Sequence, residues 1–310
     1  MKAFTLGGKE MKIGFIGLGI MGKPMALNLL KNGYEIIAFD LNERARQEIV
    51  EAGGKEVNNP METAEETDVI ITMLPNADIV KQVLLGEKGV YEKIEKGAIV
   101  IDMSSISPVD SQYLAGKFAE KDVAFLDAPV SGGEPKAIDG TMSIMVGGEE
   151  EALTKVLPVL KAMGEEITYV GGSGSGTTTK LANQILVNVT IAAMSEAVVL
   201  ASKAGIDVEK MYQAIRGGLA GSAVLDAKMP LILERNFVAG GRIDINLKDL
   251  TNVLEAGHEI GVPMPLTSNV VEMFHALKVD GKAADDHGGL VQYYEKLANF
   301  QIPVGGKQSE

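Results

Sequence analysis

Lys12 to Asp40 reads KIGFIGLGIMGKPMALNLLKNGYEIIAFD. A short apolar run, Ile13 to Ile16, meets the turn Gly17-Leu18-Gly19-Ile20-Met21-Gly22. A helical pattern follows, and a second apolar run, Tyr34 to Phe39, ends on Asp40. This is G-x-G-x-x-G in strand–turn–helix–strand context with an acid at the end of the second strand, the pattern of a dinucleotide-binding βαβ unit. Gly17 allows the tight turn, Gly19 lets backbone approach a pyrophosphate, and Gly22 lets helix and strand pack closely. Leu18, Ile20 and Met21 complete the turn that faces the cofactor. The helix N-terminus adds unpaired N–H groups and a positive dipole end. Asp40 accepts hydrogen bonds from ribose hydroxyls and repels a 2′-phosphate, which favours NAD and leaves NADP as the second choice.

Outward from this unit, apolar strands alternate with helical patterns as far as Gly172. Candidate strands are 12–16, 35–39, 69–73, 98–102, 124–126, 143–147 and 167–170, with helical segments such as Met21 to Asn32 and Asp78 to Leu85 between most of them. Such alternation predicts a mainly parallel sheet covered on both faces, a Rossmann-type doubly wound α/β domain over 11–172. The close spacing around Asp127 and Met142 allows an antiparallel portion. Residues 1–10 read as an extension without functional weight.

The composition changes at Gly171-Gly172-Ser173-Gly174-Ser175-Gly176. The glycine spacing of a P-loop is there, but Thr177 stands where that motif requires Lys, so a hinge between domains is the better reading. Thr177 to about Ala204 then forms one helical pattern without Pro or Gly, ended by Gly205. From Ile185 to Ala201 it is apolar nearly all round, as in a helix buried in a domain core or a subunit interface. An all-α domain over 173–310, entered by this long interdomain helix, is expected, with a substrate cleft at the junction and a homo-oligomer, dimer or tetramer.

The 310 residues carry a net charge of −13, which argues against nucleic acid and anionic membrane surfaces as partners. An anionic small-molecule substrate must then be held by local positive groups. Cysteine is absent, so thiolate chemistry is excluded, and His258, His275 and His287 lack ligand-like spacing, so no metal site is expected. No run reads as a membrane span and the N-terminus has no secretory signal, which points to the cytoplasm.

Three further segments carry chemistry. Lys180, Asn183 and Gln184 lie at i, i+3 and i+4 on the long helix and share a face. A lysine in a first helical turn opposes the dipole, which lowers its pKa; an ordinary solvated lysine is the plain alternative. Asp127-Ala128-Pro129-Val130-Ser131-Gly132-Gly133 presents a hydroxyl and consecutive backbone N–H groups, either a nest for a carboxylate or a simple turn. Leu74-Pro75 and Ser104-Ser105 follow strands at the ligand-binding edge of such a sheet. Lys248-Asp249-Leu250 begins another helical pattern.

Taken together, IGFIGLGIMGKPMALNL, DAPVSGGEPKAIDGT, GSGTTTKLANQ and the later KDL resemble the β-hydroxyacid dehydrogenase family over almost the whole chain, Met11 to about Ala298. The resemblance implies that Lys180 is the catalytic lysine and that Ser131, Gly132 and Gly133 hold the substrate carboxylate. It also implies that Leu74, Pro75, Ser105 and Lys248 contact the cofactor. The family usually has Asn four residues after the lysine; here that position is Gln184, preceded by Asn183, so either amide is a candidate to meet the substrate. NADP-using relatives often place Arg directly after the acid, where this chain has Leu41; Arg44 lies further along. SGGEPKAIDGT, YQAIRGGLAGS and Asp226-Ala227-Lys228 are most similar to the branch acting on tartronate semialdehyde, which implies its NAD(P)H-dependent interconversion with D-glycerate. The alternatives are 3-hydroxyisobutyrate or another short β-hydroxy acid and, remotely, a non-catalytic NAD-binding protein.

Overall fold

A computed structural model describes residues 5–6 and 9–307; within the expected N-terminal extension, residues 1–4 and 7–8 lie outside the described residues. β1 (Thr5–Leu6) and β2 (Lys9–Glu10) pair antiparallel. The central sheet begins with β3 (Lys12–Ile16), α1 (Gly22–Lys31), β4 (Glu35–Phe39), α2 (Glu43–Glu51) and β5 (Lys55–Glu56). It continues with β6 (Val69–Thr72), α3 (Ala77–Leu85), β7 (Ile99–Asp102), α4 (Pro108–Ala119) and β8 (Ala124–Asp127). These six strands are parallel and lie in the order β5-β4-β3-β6-β7-β8. The strand order reverses between β3 and β6, which opens a crevice at their C-terminal ends.

β9 (Val130–Ser131), α5 (Gly133–Asp139), β10 (Met142–Gly147), α6 (Glu150–Lys161) and β11 (Gly164–Gly171) complete the first part of the chain. β10 runs antiparallel to β8 and β9, and β11 parallel to β10, so the antiparallel portion near Asp127 and Met142 is present. β5 carried no pattern in the sequence, because both of its residues are charged and exposed.

Period-two alternation explains why the strands are apolar throughout. Ile13, Phe15, Val69, Ile71, Ile99 and Ile101 enter one core with Met25 and Leu29 of α1 and Val156 of α6. Ile16, Ile70, Val100 and Phe125 enter another with Val80 and Leu84 of α3 and Leu114 and Phe118 of α4. A parallel sheet with helices on both faces needs both sets.

The chain divides into two compact units, Met1–Lys180 and Leu181–Glu310. α7 (Ser175–Lys203) runs through the division and starts two residues earlier than expected. The second unit continues with α8 (Val208–Ile215), α9 (Ala223–Glu234), α10 (Ile243–Glu259), α11 (Pro265–Val279) and α12 (Val291–Ala298). Its core is built from Ile191 and Val198 of α7, Met229 and Ile232 of α9, Leu250 of α10 and Phe274 of α11. α7 ends as foreseen at Gly205: its N–H bonds to the Ser202 carbonyl and that of Ile206 to Ala201 (both 3.0 Å), a closure that needs the φ of +82° open to glycine.

α7 is long and apolar enough to cross a bilayer by composition, with a mean hydropathy of 1.8 over its best window. The core it builds accounts for much of that character, since 44% of the window is buried inside the fold.

Candidate active site

The glycine turn divides its three glycines between fold and ligand. Gly17 has a φ of +99°, and a Cβ there would stand 2.3 Å from the Met73 carbonyl oxygen. A Cβ on Gly22 would stand 1.9 Å from the Gly17 carbonyl oxygen. Both obstacles are backbone and cannot swing away. At Gly19 nothing lies within 4 Å, so this position alone leaves a cradle that a Cβ would fill and a pyrophosphate fits. Among the described side chains none caps α1 at Met21; in the first turn Pro24 has no N–H and the Lys23 N–H donates to the Gly19 carbonyl at 3.1 Å, which leaves the Gly22 N–H to face an anion. Leu18 is buried beside the turn, whereas Ile20 is exposed.

Asp40 is held by backbone on both oxygens. Its Oδ2 accepts from the Leu18 N–H at 2.6 Å and its Oδ1 from the Asn42 N–H at 2.7 Å, so the carboxylate ties the end of β4 to the glycine turn and to the cap of α2. Each oxygen keeps a lone pair for a hydroxyl. Leu41 beside it is exposed. Arg46 is committed to the Asp40 carbonyl and to Glu56, at 2.6 and 2.9 Å. Arg44 is solvent-exposed, 3.5 Å from Glu48. A cavity of about 690 Å³ lies here, lined by Gly19, Ile20, Lys23, Asn42 and Arg44 among others.

The loops after β6 and β7 are tied together. The Leu74 N–H donates to Ser104 Oγ at 2.9 Å. The Ser104 N–H and Thr72 Oγ1 donate to Asp102 Oδ1 at 3.2 and 2.7 Å. Asp102 is fully buried, and its Oδ2 has no hydrogen-bond partner among the described residues. Burial pushes this carboxyl up to about 6, opposed by the Ser104 and Thr72 hydrogen bonds and reinforced by Asp127. Pro75 and Ser105 lie on the two loops so joined, Pro75 exposed and Ser105 half-buried.

Ser131 ends β9, opposite Ser143 of β10. Gly132 and Gly133 follow with φ of +138° and +71°, a pair of conformations closed to most other residues. Asn28 of α1 donates to the Ala137 carbonyl of α5 at 2.8 Å, linking this segment to the helix of the glycine turn.

The glycine-rich stretch before α7 is tied to the end of β8. Asp127, at the end of β8 and fully buried, takes the Gly174 N–H on Oδ1 and the Thr177 N–H on Oδ2, both at 2.8 Å. Thr177 Oγ1 adds a contact of 3.2 Å to Oδ2. Burial still raises the Asp127 carboxyl above its ordinary range, against the Thr177 and Gly174 hydrogen bonds. Lys180 is the sixth residue of α7, hence in its second turn rather than its first, and the dipole argument weakens there. The lysine is buried, 9% exposed.

In the second unit, Gln184 Nε2 donates to Asp249 Oδ2 at 2.7 Å and to Asn246 Oδ1 at 3.3 Å, while its Oε1 accepts from Asn183 at 3.1 Å. Asn188 donates to Asn246 at 3.2 Å and meets His287 Nδ1 at 3.0 Å. Lys248 lies inside α10 rather than at its start, and pairs with Asp249 at 2.9 Å.

The expected residues of the first unit thus follow the C-terminal ends of β3, β4, β6 and β7 and the end of β9, and Lys180 lies on α7, whose first turn is tied to Asp127 at the end of β8. Sequence reading gave no role to Asp102, Thr72 and Ser104, to Asp127 as an anchor, or to the partners Asn188, Asn246, Asp249 and His287. Asp127 had one signal, its place at the head of DAPVSGG; Asp102 and Ser104 had theirs at the ligand-binding sheet edge, Asn188 one turn past Gln184 on the same helix face and Asp249 in the KDL segment, whereas Thr72 and Asn246 had none.

Residues 12–171 match the family described as the NAD-binding domain of 6-phosphogluconate dehydrogenase. Residues 174–294 match the one described as NAD-binding of NADP-dependent 3-hydroxyisobutyrate dehydrogenase. The 2-hydroxy-3-oxopropionate reductase of Escherichia coli (strain K12) is 40% identical, over 94% of this chain and 100% of its own. The 2-(hydroxymethyl)glutarate dehydrogenase of Eubacterium barkeri is 39% identical, over 96% and 99%. A crystal structure of 3-hydroxyisobutyrate dehydrogenase from Salmonella typhimurium is similar with a TM-score of 0.81 at 31% identity, over 91% of this chain and 99% of that one. The Mycobacterium tuberculosis 3-hydroxyisobutyrate dehydrogenase gives 0.86 at 28%, over 92% and 99%. The chain therefore belongs to the β-hydroxyacid dehydrogenase family, nicotinamide-dinucleotide-dependent oxidoreductases that act on CH–OH groups.

Proposed function

We propose that this enzyme reduces tartronate semialdehyde (2-hydroxy-3-oxopropanoate) to D-glycerate, reversibly, with Lys180 as the proton donor and acceptor. The observation that carries the reading is Lys180 itself, an amine buried on the helix that Asp127 anchors. The similarity to a reductase of this name along its whole length supports the substrate. The nicotinamide supplies the hydride to the aldehyde carbon. As the C=O electron pair moves onto oxygen, the Lys180 ammonium stabilises the growing charge and then gives up its proton. In the reverse direction the neutral amine takes the alcohol proton.

Ser131 and the Gly132 and Gly133 amides hold the substrate carboxylate in this reading. Gln184 has committed both amide hydrogens to Asp249 and Asn246, so it meets a substrate hydroxyl only as an acceptor through Oε1; Asn183 keeps an N–H and an oxygen. The glycine turn Gly17–Gly22, Leu74, Pro75, Ser105 and Lys248 are assigned to the cofactor. Asp40, held by two backbone N–H groups and followed by Leu41 rather than Arg, favours NADH over NADPH. We place the domain boundary at 172/173, eight residues before the point at which the two compact units divide. We further propose a cytoplasmic homo-oligomer that buries the exposed α7 side chains Leu186 and Leu200.

The test is NADH oxidation with tartronate semialdehyde and methylmalonate semialdehyde side by side. A higher kcat/KM for the first is expected; a higher value for the second makes the enzyme a 3-hydroxyisobutyrate-type dehydrogenase. Normal NADH binding without turnover on either would leave only the non-catalytic reading. Lys180→Ala should cost about 10²–10³ in kcat; near-normal turnover in that variant would remove the lysine from the mechanism.

A further inference from the structure

The start of α7 is a junction of three elements with no spare volume. Asp127 closes β8, Gly147 closes β10, and Gly174 to Thr177 open the helix. A Cβ on Gly147 would lie 2.7 Å from both Asp127 Oδ1 and the Gly176 nitrogen. A Cβ on Gly176 would lie 2.3 Å from the Asp127 carbonyl oxygen and 2.4 Å from that of Met145. The helix therefore sits directly on two strand ends, and the Asp127 carboxylate fills the gap between them with three hydrogen bonds to Gly174 and Thr177. Thr177 is one helical turn before Lys180.

We propose that Asp127 is a positioning residue for Lys180: it fixes the height and rotation of the first turn of α7, and through that turn the point at which the amine arrives. The inference rests on the reading of Lys180 as the proton donor. A carboxylate suits this role better than a neutral cap. Both oxygens accept backbone N–H bonds, which an amide can do on one side only, and its charge faces the positive end of a 29-residue helix. A serine at the usual capping position could satisfy one N–H but would not reach the strand. Asp102 occupies the matching position on β7, in register with Asp127, yet its bonds run to Thr72 and Ser104 and so toward the Leu74 loop. The two acids thus serve different partners.

The experiment compares Asp127→Asn, Thr177→Val and Gly176→Ala with wild type and with Lys180→Ala, reading kcat for aldehyde reduction, NADH affinity by fluorescence and the pH profile of alcohol oxidation. Asp127→Asn turns one acceptor into an N–H that faces the Thr177 N–H. A displacement on the 1 Å scale costs on the order of 10² in rate. The kcat should therefore fall about 100-fold while NADH affinity stays within about threefold, because a misplaced amine slows the chemical step and leaves the cofactor contacts intact. Gly176→Ala should reproduce that pattern without altering any charge, and Thr177→Val should show it more weakly. The pH profile of alcohol oxidation should change in Asp127→Asn and Gly176→Ala, because both displace the amine, and stay as in wild type in Asn59→Ala, a split that simple loss of structure does not give. Asn59→Ala, which removes the cap of the 60–64 turn, controls for general destabilisation and should leave kcat unchanged. If Lys180→Ala is inactive but both Asp127→Asn and Gly176→Ala turn over at the wild-type rate, the inference is wrong and the lysine assignment stands. If Lys180→Ala is itself active, the assignment fails first. Should Asp127→Asn not fold, Gly176→Ala and Thr177→Val decide the question by the same split.

Discussion

Alanine at Gly22 and alanine at Gly19 should produce opposite phenotypes, although the two positions are three residues apart. At Gly22 the new Cβ would stand 1.9 Å from the Gly17 carbonyl oxygen, with Phe15 Cε1 at 3.2 Å. Relief requires the turn and α1 to separate by roughly 1 Å, because both sides are backbone. Overpacking of this kind costs about 1–3 kcal/mol, and the upper end applies where no side chain can rotate away. At about 2–4 °C per kcal/mol for a domain of this size, the melting temperature should drop by roughly 6–12 °C. At Gly19 the Cβ meets nothing within 4 Å and the backbone φ is not left-handed, so stability should hold to about 0.5 kcal/mol. The methyl group instead occupies the space into which a pyrophosphate would come. Losing one hydrogen bond to a charged group costs about 1.5–3 kcal/mol, roughly 10- to 150-fold in affinity. Thermal melting and NADH fluorescence titration, run on both variants, separate the two effects. If Gly19→Ala binds NADH as wild type does, the open space at Gly19 is not the pyrophosphate cradle; if Gly22→Ala melts normally, the packing argument for the turn is wrong.

Asp102, raised to about 6, binds its proton more tightly folded than unfolded, so its ionisation penalty is absent below about pH 4 and reaches about 3 kcal/mol as pH rises through 6. Asp102→Asn should flatten the slope of unfolding free energy between pH 4 and 7 in urea titrations, and an unchanged slope would contradict a buried ionising carboxyl there. Asp40→Asn keeps an acceptor for Leu18 or Asn42 and removes the charge, so the NADPH-to-NADH ratio of kcat/KM should rise about tenfold, equivalent to about 1.4 kcal/mol; a fixed ratio would mean that Asp40 does not face the ribose. Leu186→Lys together with Leu200→Lys should reduce the mass found by light scattering, and an unaltered oligomer would place the interface elsewhere.

What the sequence made legible was local. The turn Gly17–Gly22 and Asp40 sit within one βαβ unit, and the residue types there have few other uses. The inner strands β3, β6 and β7 showed because both faces are buried, and the end of α7 showed because Gly205 is the left-handed residue a helix closure needs. What stayed hidden was either short or distant. β5 is an exposed charged pair, held by backbone pairing to β4 and by the Lys55–Glu35 and Arg46–Glu56 ion pairs, none of which leaves an apolar pattern. Asp127 finds Gly174 and Thr177 at separations of 47 and 50 residues, which no periodicity encodes. The glycines of 171–176 carry more than looseness: at Gly176 the ends of β8 and β10 leave no room for a Cβ. Gln184 illustrates the same limit, since its choice of partners depends on α10, some 60 residues away.

The placement of Asp102 and Asp127 side by side carries a cost that neither shows alone. Two carboxylates without solvent exposure, on neighbouring strands and in register, repel one another, and burial raises both. An apolar pair would make a more stable sheet edge. The acids are useful because each oxygen that accepts an N–H fixes a piece of backbone in a direction that an apolar contact cannot specify. Asp102 applies that to the loops after β6 and β7, where the cofactor assignments Leu74, Pro75 and Ser105 lie, and Asp127 applies it to the helix that bears Lys180. Hydride transfer needs donor and acceptor near 3–3.5 Å with correct alignment, and proton transfer needs the amine placed independently of that distance. On the proposed assignments, separate anchors on adjacent strands of one sheet would meet both requirements, so a substitution at Asp102 should disturb cofactor binding and a substitution at Asp127 the chemical step.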